Sequence, residues 1–312
     1  MSEPLAKVGA TSGRVSERLL DSPPPAVTPR EAQDLARRLF GISGTVSPLA
    51  SERDTNFRLL AQDGRSFVLK FANSAEPPAI TNFQTEALLA LERGDPDLPV
   101  PKVVRATDGR CEITLAVGRG PEVVLRLLTW VEGEPVATVG VSGGLRRDMG
   151  RTLARLGVAL ARFDHPAASH DLLWDIRNAS RLRPMTPSIP DGEMRARVLA
   201  ELDRFEAEVL PRLPGLRHQV VHNDFNHHNV VVRRSDPDRV SGVIDFGDMV
   251  RTALAADVAV AASYLATAAD DPVADVAEFL AAYHGVSPLR TEEVELMRDL
   301  IVARLVTSIA IT

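Results

Sequence analysis

Val221-His222-Asn223-Asp224-Phe225-Asn226-His227-His228-Asn229-Val230-Val231-Val232, followed after a turn by Val243-Ile244-Asp245-Phe246-Gly247-Asp248, is the stretch on which the reading of this chain turns. Valines on both sides of a polar run describe a strand, a loop and a second strand. Asp224 and Asn229 stand five positions apart at the two ends of that loop, and Asp245 ends a later apolar strand. Transfer of a phosphoryl group needs a carboxylate to orient the attacking hydroxyl, and oxygen ligands to hold Mg²⁺ on the phosphates. Asp224 fits the first need, and Asn229 and Asp245 fit the second. Asp236-Pro237-Asp238 has turn chemistry and would join the two valine-rich strands, holding the loop and Asp245 at adjacent strand ends.

The same spacing matches the catalytic loop and the metal-binding Asp-Phe-Gly of protein kinases. The fold expected is therefore α+β and bilobal, protein-kinase-like, with an N-terminal antiparallel sheet carrying a helix and a mainly helical C-terminal lobe. Residues 1–27, with Pro23-Pro24-Pro25, read as a flexible arm. Residues 28–130 would form the nucleotide-binding lobe and residues 131–312 the catalytic and substrate-binding lobe.

Working back from the loop, Thr28-Pro29-Arg30-Glu31 opens a helix: Thr28 as N-cap, Pro29 at the first position, Glu31 closing a capping box. Ala32, Leu35, Ala36, Leu39 and Phe40 make its apolar stripe, and Gly41 ends it. Strands over 45–50 and 57–61 flank a polar turn, where a kinase would cover the phosphates. Residues 65–72 alternate, with Phe67, Leu69 and Phe71 on one face and Val68 and Lys70 on the other. A lysine in an apolar strand requires a partner. Glu86, on a helix whose core face is Phe83, Ala87, Leu88 and Leu91, is the expected one, and Lys70 would then steady the phosphates. The apolar strand 123–130 runs into Val131-Glu132-Gly133. There the Thr129 carbonyl and Val131 amide are expected to bond a purine edge, with Leu128 at the back of the pocket.

In the second lobe, Leu145, Met149, Leu153, Leu156, Leu160 and Phe163 recur at helical spacing. Residues 193–210 read as another helix, ended by Pro211 and Pro214. The apolar run 253–269 holds Asp257 and reads as a buried helix, with Asp257 bonding the backbone of the catalytic loop. His222 reads as a core histidine bracing that loop. His227 and His228 lack a third ligand at zinc spacing.

Composition sets wider limits. The chain has 312 residues, enough for two lobes. A formal net charge of -6 argues against a nucleic-acid partner and suits a cationic one. The single cysteine, Cys111, allows no intrachain disulfide and fits a reducing cytoplasm. No segment reads as a membrane span.

The motifs 222–229 and 244–248, with Lys70 and Glu86, resemble the aminoglycoside phosphotransferase family, which also holds choline, homoserine and hydroxylysine kinases. Arg126-Leu127-Leu128-Thr129-Trp130, His165-Pro166-Ala167, Leu173-Trp174-Asp175 and Asp224-Phe225-Asn226 are similar to its hydroxylysine kinase branch. Asn223 stands where the family usually has glycine, and Asn tolerates the backbone angles involved. The resemblance implies a kinase that uses Mg²⁺ and ATP or GTP to phosphorylate a hydroxyl of an amino alcohol or hydroxylated amino acid. A small cationic, hydroxylated substrate would meet Asp248, Asp175 and Trp174. An antibiotic phosphotransferase is the alternative on the same fold, and an inactive pseudokinase domain the alternative of another class. The last residues read as the inside of a helix where relatives continue. This suggests a piece of a longer protein, with a pyridoxal-phosphate-dependent, aminotransferase-like domain fused downstream as in some bacterial relatives.

Overall fold

The computed structural model describes residues 22–51, 53–118, 120–267 and 271–311. Residues 1–21 of the expected arm lie outside them. The chain gathers into two compact units, one running to Leu89 and including Pro101–Trp130, the other formed by Ala90–Val100 and Val131–Thr312.

In the first unit, Thr28 caps α1 (Pro29–Phe40) as its sequence dictates. Its hydroxyl accepts from Glu31 N at 3.2 Å, and the Glu31 carboxylate accepts from Thr28 N at 2.8 Å. Gly41 ends the helix at φ 68°, a left-handed conformation that glycine reaches without steric cost. An antiparallel sheet follows: β1 (Gly44–Leu49), β2 (Thr55–Ala61) and β3 (Ser66–Phe71), then α2 (Pro78–Gly94), β4 (Val103–Val104), β5 (Ile113–Ala116) and β6 (Glu122–Thr129). The strand order is β1-β2-β3-β6-β4, with β5 also pairing β6. Strand alternation sorts the side chains. Phe57, Leu59, Phe67, Leu69, Phe71, Leu125 and Leu127 share one core with Ala32, Ala36 and Phe40 of α1. Lys70 and Arg126, opposite each other in the register, belong to the other face.

Residues 22–27 of the expected arm are tied to this unit rather than loose. Asn73 Nδ2 donates to the carbonyls of Ser22 and Pro23, the Thr55 hydroxyl donates to Pro25 O at 2.6 Å, and Val27 packs on the core. Segment 90–100, expected with the first lobe, groups with the second unit. Arg155 holds Asp95 at 2.8 Å and Pro99 O accepts from Val243 N at 2.8 Å.

The second unit begins with β7 (Glu134–Pro135), α3 (Val136–Val139) and α4 (Gly143–Leu160). A 3₁₀ segment (Ile176–Ser188) leads to α5 (Gly192–Arg204). The single helix expected over 193–210 instead loosens into a π turn (Phe205–Val209) and then tightens into a 3₁₀ turn (Leu210–Gly215). Pro211, lacking an N–H, cannot extend the α-helical ladder, and the chain changes its hydrogen-bond period there. Next come β8 (His218–Val221), β9 (Val230–Arg233), β10 (Asp236–Val243) and β11 (Val250–Ala253), then α6 (Leu254–Thr267), α7 (Pro272–His284) and α8 (Thr291–Ile311). The β9–β10 turn is Arg234-Ser235, because Asp236 already pairs Arg233 and returns through an irregular register. It is therefore earlier than the expected Asp236-Pro237-Asp238.

Two small ladders, β10-β9-β7 and β11-β8, stand among the helices. Helix α4 packs on α7 and α6 on α8. Gly150 permits the first approach, since a Cβ there would lie 2.5 Å from Phe279 O. The run expected as a buried helix is α6, buried almost all round from Leu254 to Ser263. Among the described residues no helix is long and apolar enough to cross a membrane.

Candidate active site

The loop of residues 222–229 leaves β8 and enters β9, so its two ends are fixed by different ladders. Asn223 turns the chain at φ 63°, in the left-handed region, directly before Asp224. Its N–H donates to Asp257 Oδ1 at 2.7 Å. The expected structural role of Asp257 is thus observed, and burial raises its carboxyl to about 7. His222 is wholly buried and braces the loop as expected. Its Nδ1 accepts from Asp224 N at 3.2 Å and its Nε2 lies 3.2 Å from Ile244 O. With Nδ1 accepting, the ring is the neutral Nε2–H form. Burial lowers its pKa to about 4, so it stays neutral near pH 7.

The Asp224 carboxylate is held by three donors. Asn226 Nδ2 reaches Oδ1 at 2.9 Å, Arg304 Nη2 reaches Oδ1 at 3.3 Å, and Asn229 Nδ2 reaches Oδ2 at 2.6 Å. Burial, then the nearby Asp248 charge, pushes its carboxyl up to about 7, against the pull of Arg304 and Asn226. Asn226 organises the rest of the loop. Its Oδ1 accepts from His228 N at 2.7 Å and Asn229 N at 3.1 Å, and its carbonyl accepts from Val230 N at 3.1 Å.

Ile244 N donates to Asn229 O at 2.8 Å, which brings the residue before Asp245 beside the end of the loop. Asp245 is exposed, at φ 59°, and its Oδ1 accepts from Gly247 N. The donor chemistry fits Mg²⁺. Asn229 gives its amide hydrogens to Asp224, leaving Oδ1 as the amide atom outside that network, and Asp245 adds a carboxylate. Both are hard oxygen donors, and Mg²⁺ characteristically takes one or two carboxylates and completes its shell from phosphates and water. Among the described residues no group of three or more His, Cys, Asp or Glu gathers as a closed metal cage.

The residues expected to meet the substrate separate. Asp248 lies near enough to raise the Asp224 carboxyl. Asp175 is bound up in the interior of its own unit. It is wholly buried, caps the 3₁₀ segment through Arg177 N at 3.0 Å, and accepts from the Thr252 hydroxyl at 3.0 Å. A carboxylate committed in this way supports the lobe and is not open to an incoming amine. Trp174 packs on the cluster of Leu172, Val221, Val250 and Leu254, and the cation on its ring is Arg304, 4.9 Å from the centroid.

In the first unit Lys70 is paired, but not with Glu86. Its Nζ lies 3.7 Å from Asp54 Oδ2, both side chains being mostly buried. Helix α2 turns Thr81, Gln84 and Thr85 toward Arg126, whose guanidinium reaches Gln84 Oε1 at 2.8 Å and Thr81 O at 3.4 Å. One position beyond Thr85 is about 100° further around the helix. Glu86 lies within electrostatic reach of Cys111, whose thiol is raised mainly by burial. The residues expected to receive the purine stand at and just beyond the end of β6. Leu128 is buried between Val68 and Val103 in the register, Thr129 N donates to Lys102 O at 2.9 Å, and the Thr129 hydroxyl accepts from Lys102 N at 2.8 Å. Val131 is the residue at which the second unit resumes.

A model of the phosphotransferase enzyme family matches residues 45–296, most of the chain and the whole of this loop and strand arrangement. The chain belongs to that family. It is an enzyme of the phosphotransferase class, as the resemblance implied. Hydroxylysine kinase of Mus musculus is 27% identical over 303 residues, covering 90% of this chain and 80% of its own. Homoserine kinase of Methylobacillus flagellatus is 29% identical over 271 residues, covering 82% and 73%. Among solved structures, a microcompartment-associated aminopropanol kinase superposes with a TM-score of 0.72 at 20% identity, covering 89% of this chain and 87% of its own. Amicoumacin kinase gives 0.71 at 16% identity, covering 89% and 84%. These last two are likenesses of fold.

Sequence reasoning missed three residues that the structure brings to Asp224 or Lys70: Asn226, Arg304 and Asp54. Arg304 carried a signal, being a lone cation in the apolar run from Leu300 to Val306, the same anomaly that singled out Lys70. Asn226 stood within the Asp224-Phe225-Asn226 similarity without a role of its own, and Asp54 carried no signal, since a polar residue in a polar turn is the ordinary case.

Proposed function

We propose that the chain is a kinase of small hydroxylated amines, transferring the γ-phosphoryl group of ATP or GTP to a hydroxyl of a hydroxylated amino acid or amino alcohol. The observation that carries this is the Asp224 carboxylate, fixed by Asn226 and Asn229, beside an Asn229 amide oxygen and an Asp245 carboxylate. Asp224 accepts the hydrogen bond of the acceptor hydroxyl and aims its oxygen at the phosphorus; catalysis of this kind is chiefly positioning and charge stabilisation. Asn229 and Asp245 would hold Mg²⁺, which when bound neutralises charge on the phosphates. Lys70 steadies the phosphates, and Leu128, Thr129 and Val131 receive the base. Asp248 neutralises the ammonium of the acceptor.

The names of the curated relatives support the acceptor class, because hydroxylysine and homoserine are both hydroxylated amino acids. The test is steady-state phosphorylation of hydroxylysine, homoserine, ethanolamine and aminoglycosides with ATP and with GTP. Turnover should be greatest on a hydroxylated amino acid and should require Mg²⁺. Turnover on an aminoglycoside alone would replace the acceptor class, and turnover on no acceptor with either nucleotide would make the chain a pseudokinase.

A further inference from the structure

Arg304 is among the largest wholly buried side chains of the protein, 2% exposed, and stands at the fourteenth position of α8. Its surroundings engage both terminal nitrogens, while Nε is buried without a hydrogen-bond partner among the described residues. The guanidinium lies over the Trp174 ring at 4.9 Å and near the Tyr264 ring at 5.9 Å. Nη1 donates to Trp174 O at 3.1 Å, and Nη2 donates to Asp224 Oδ1 at 3.3 Å and Tyr264 Oη at 3.5 Å. A guanidinium loses much solvation on burial, and a carboxylate partner with aromatic faces compensates for that loss. Such a group costs too much to be incidental packing, and the carboxylate it is aimed at is the one that orients the acceptor.

The donor set makes its role specific. A carboxylate offers about four lone-pair positions, two on each oxygen. At Asp224, Oδ1 receives two donors, Asn226 and Arg304, and is full; Oδ2 receives one, Asn229. One position remains, on Oδ2, on the oxygen that also touches Asn229. We propose that Arg304 is a positioning residue of the reaction: by filling Oδ1 it leaves Oδ2 as the single atom of Asp224 able to receive the acceptor hydroxyl, and thereby fixes the line of attack. Helix α8 thus reaches back to the catalytic loop across 80 positions of chain. Trp174 and Tyr264 serve the same end by holding the guanidinium flat. The inference rests on the reading of Asp224 as the orienting carboxylate.

The experiment compares Arg304→Gln, Arg304→Lys and Asp224→Asn, singly and with Asp224→Asn combined with Arg304→Gln, on the best acceptor of the panel. Arg304→Gln should lower kcat by at least about tenfold, since a small misplacement of a reacting group has effects of this order. Nucleotide affinity, read with a fluorescent nucleotide, should stay unchanged, and Arg304→Lys should recover part of the loss. In the Asp224→Asn background, Arg304→Gln should add almost nothing, because it acts through the carboxylate already removed. For an Arg304→Gln protein too unstable to assay, the Arg304→Lys protein and restoration of Arg304→Ala by added ethylguanidinium give the same reading. Wild-type kcat in the Arg304 variants, a full additional loss in the Asp224→Asn background, or no response to ethylguanidinium would overturn the inference while Asp224→Asn stays impaired. Near wild-type turnover by Asp224→Asn itself would instead overturn the assignment on which the inference rests.

Discussion

At the scale of single residues the loop is built from conformational and hydrogen-bonding choices that leave little slack. Asn223 occupies the left-handed region at φ 63°, and both polar atoms of its side chain are buried without a hydrogen-bond partner. Glycine would remove the steric cost and the unsatisfied groups together, whereas a β-branched residue would add to the strain. Asn223→Gly should therefore match or exceed the wild-type melting temperature, and Asn223→Val should lose stability by at least about 1–2 kcal/mol, the left-handed penalty for an L-residue; urea titration of the three proteins compares them. At the next position, Asp224→Asn keeps the shape and loses the charge. It should leave nucleotide binding in place and reduce turnover by at least about 10²-fold, the lower range for proton-handling side chains; a paired binding and rate measurement reads both.

At the scale of elements, helix α6 supports the loop through Asp257, whose Oδ1 accepts from Asn223 N. The groups facing this carboxyl are the Asn223 and His222 amides, Arg304 and the Tyr283 ring. Burial raises it to about 7, whereas an unfolded Asp titrates near about 3.9. Between those values the folded chain keeps a proton that the unfolded chain has lost. The contribution to stability is full below about 4 and declines as pH rises through about 7. Asp257→Asn retains an oxygen for the Asn223 N–H and cannot ionise. Relative to wild type it should gain stability as pH rises from about 4 to about 7, and a difference independent of pH would show that Asp257 is not the group responsible. His222 works in the opposite sense, because its lowered pKa of about 4 makes acidification from about 6.5 destabilising; the mutant-minus-wild-type difference cancels it. On the sheet of the first unit, without added nucleotide, Lys70→Met and Asp54→Asn should be non-additive in stability. Lys70→Met and Glu86→Gln should add within about 0.5 kcal/mol, as residues without contact do.

At the scale of the whole molecule, the two residues proposed to hold the metal come from separate returns of the chain, Asn229 from the end of the 222–229 loop and Asp245 from two residues beyond β10. The Ile244 N to Asn229 O bond, the β9–β10 ladder and the contact of His222 Nε2 with Ile244 O set their spacing. Asp245→Ala should abolish Mg²⁺-dependent nucleotide binding, and Asn229→Ala should weaken it less at the metal, since a neutral donor is lost. Asn229→Ala should nevertheless cost more in turnover than in binding, because Asn229 Nδ2 also holds Asp224 Oδ2 at 2.6 Å. Calorimetric titration with nucleotide, with and without Mg²⁺, set beside rate measurements, separates these two effects.

The sequence by itself determined what depends on neighbours along the chain. The capping box at Thr28, the left-handed Gly41, the alternation that puts Phe67, Leu69 and Phe71 on one face, and the strand–loop–strand around Asp224 were all legible. Each is set by backbone sterics and side-chain period within a few residues, which a sequence carries in full. Tertiary structure alone decided the partners. Lys70 takes Asp54 because α2 is rotated to give Gln84 and the Thr81 carbonyl to Arg126; Asp175 turns inward as a cap; and Arg304 closes on Asp224 from 80 positions away. Such pairings follow from how a helix is rotated and which sheet face it covers, quantities fixed by the packing of whole elements rather than by any local run of residues.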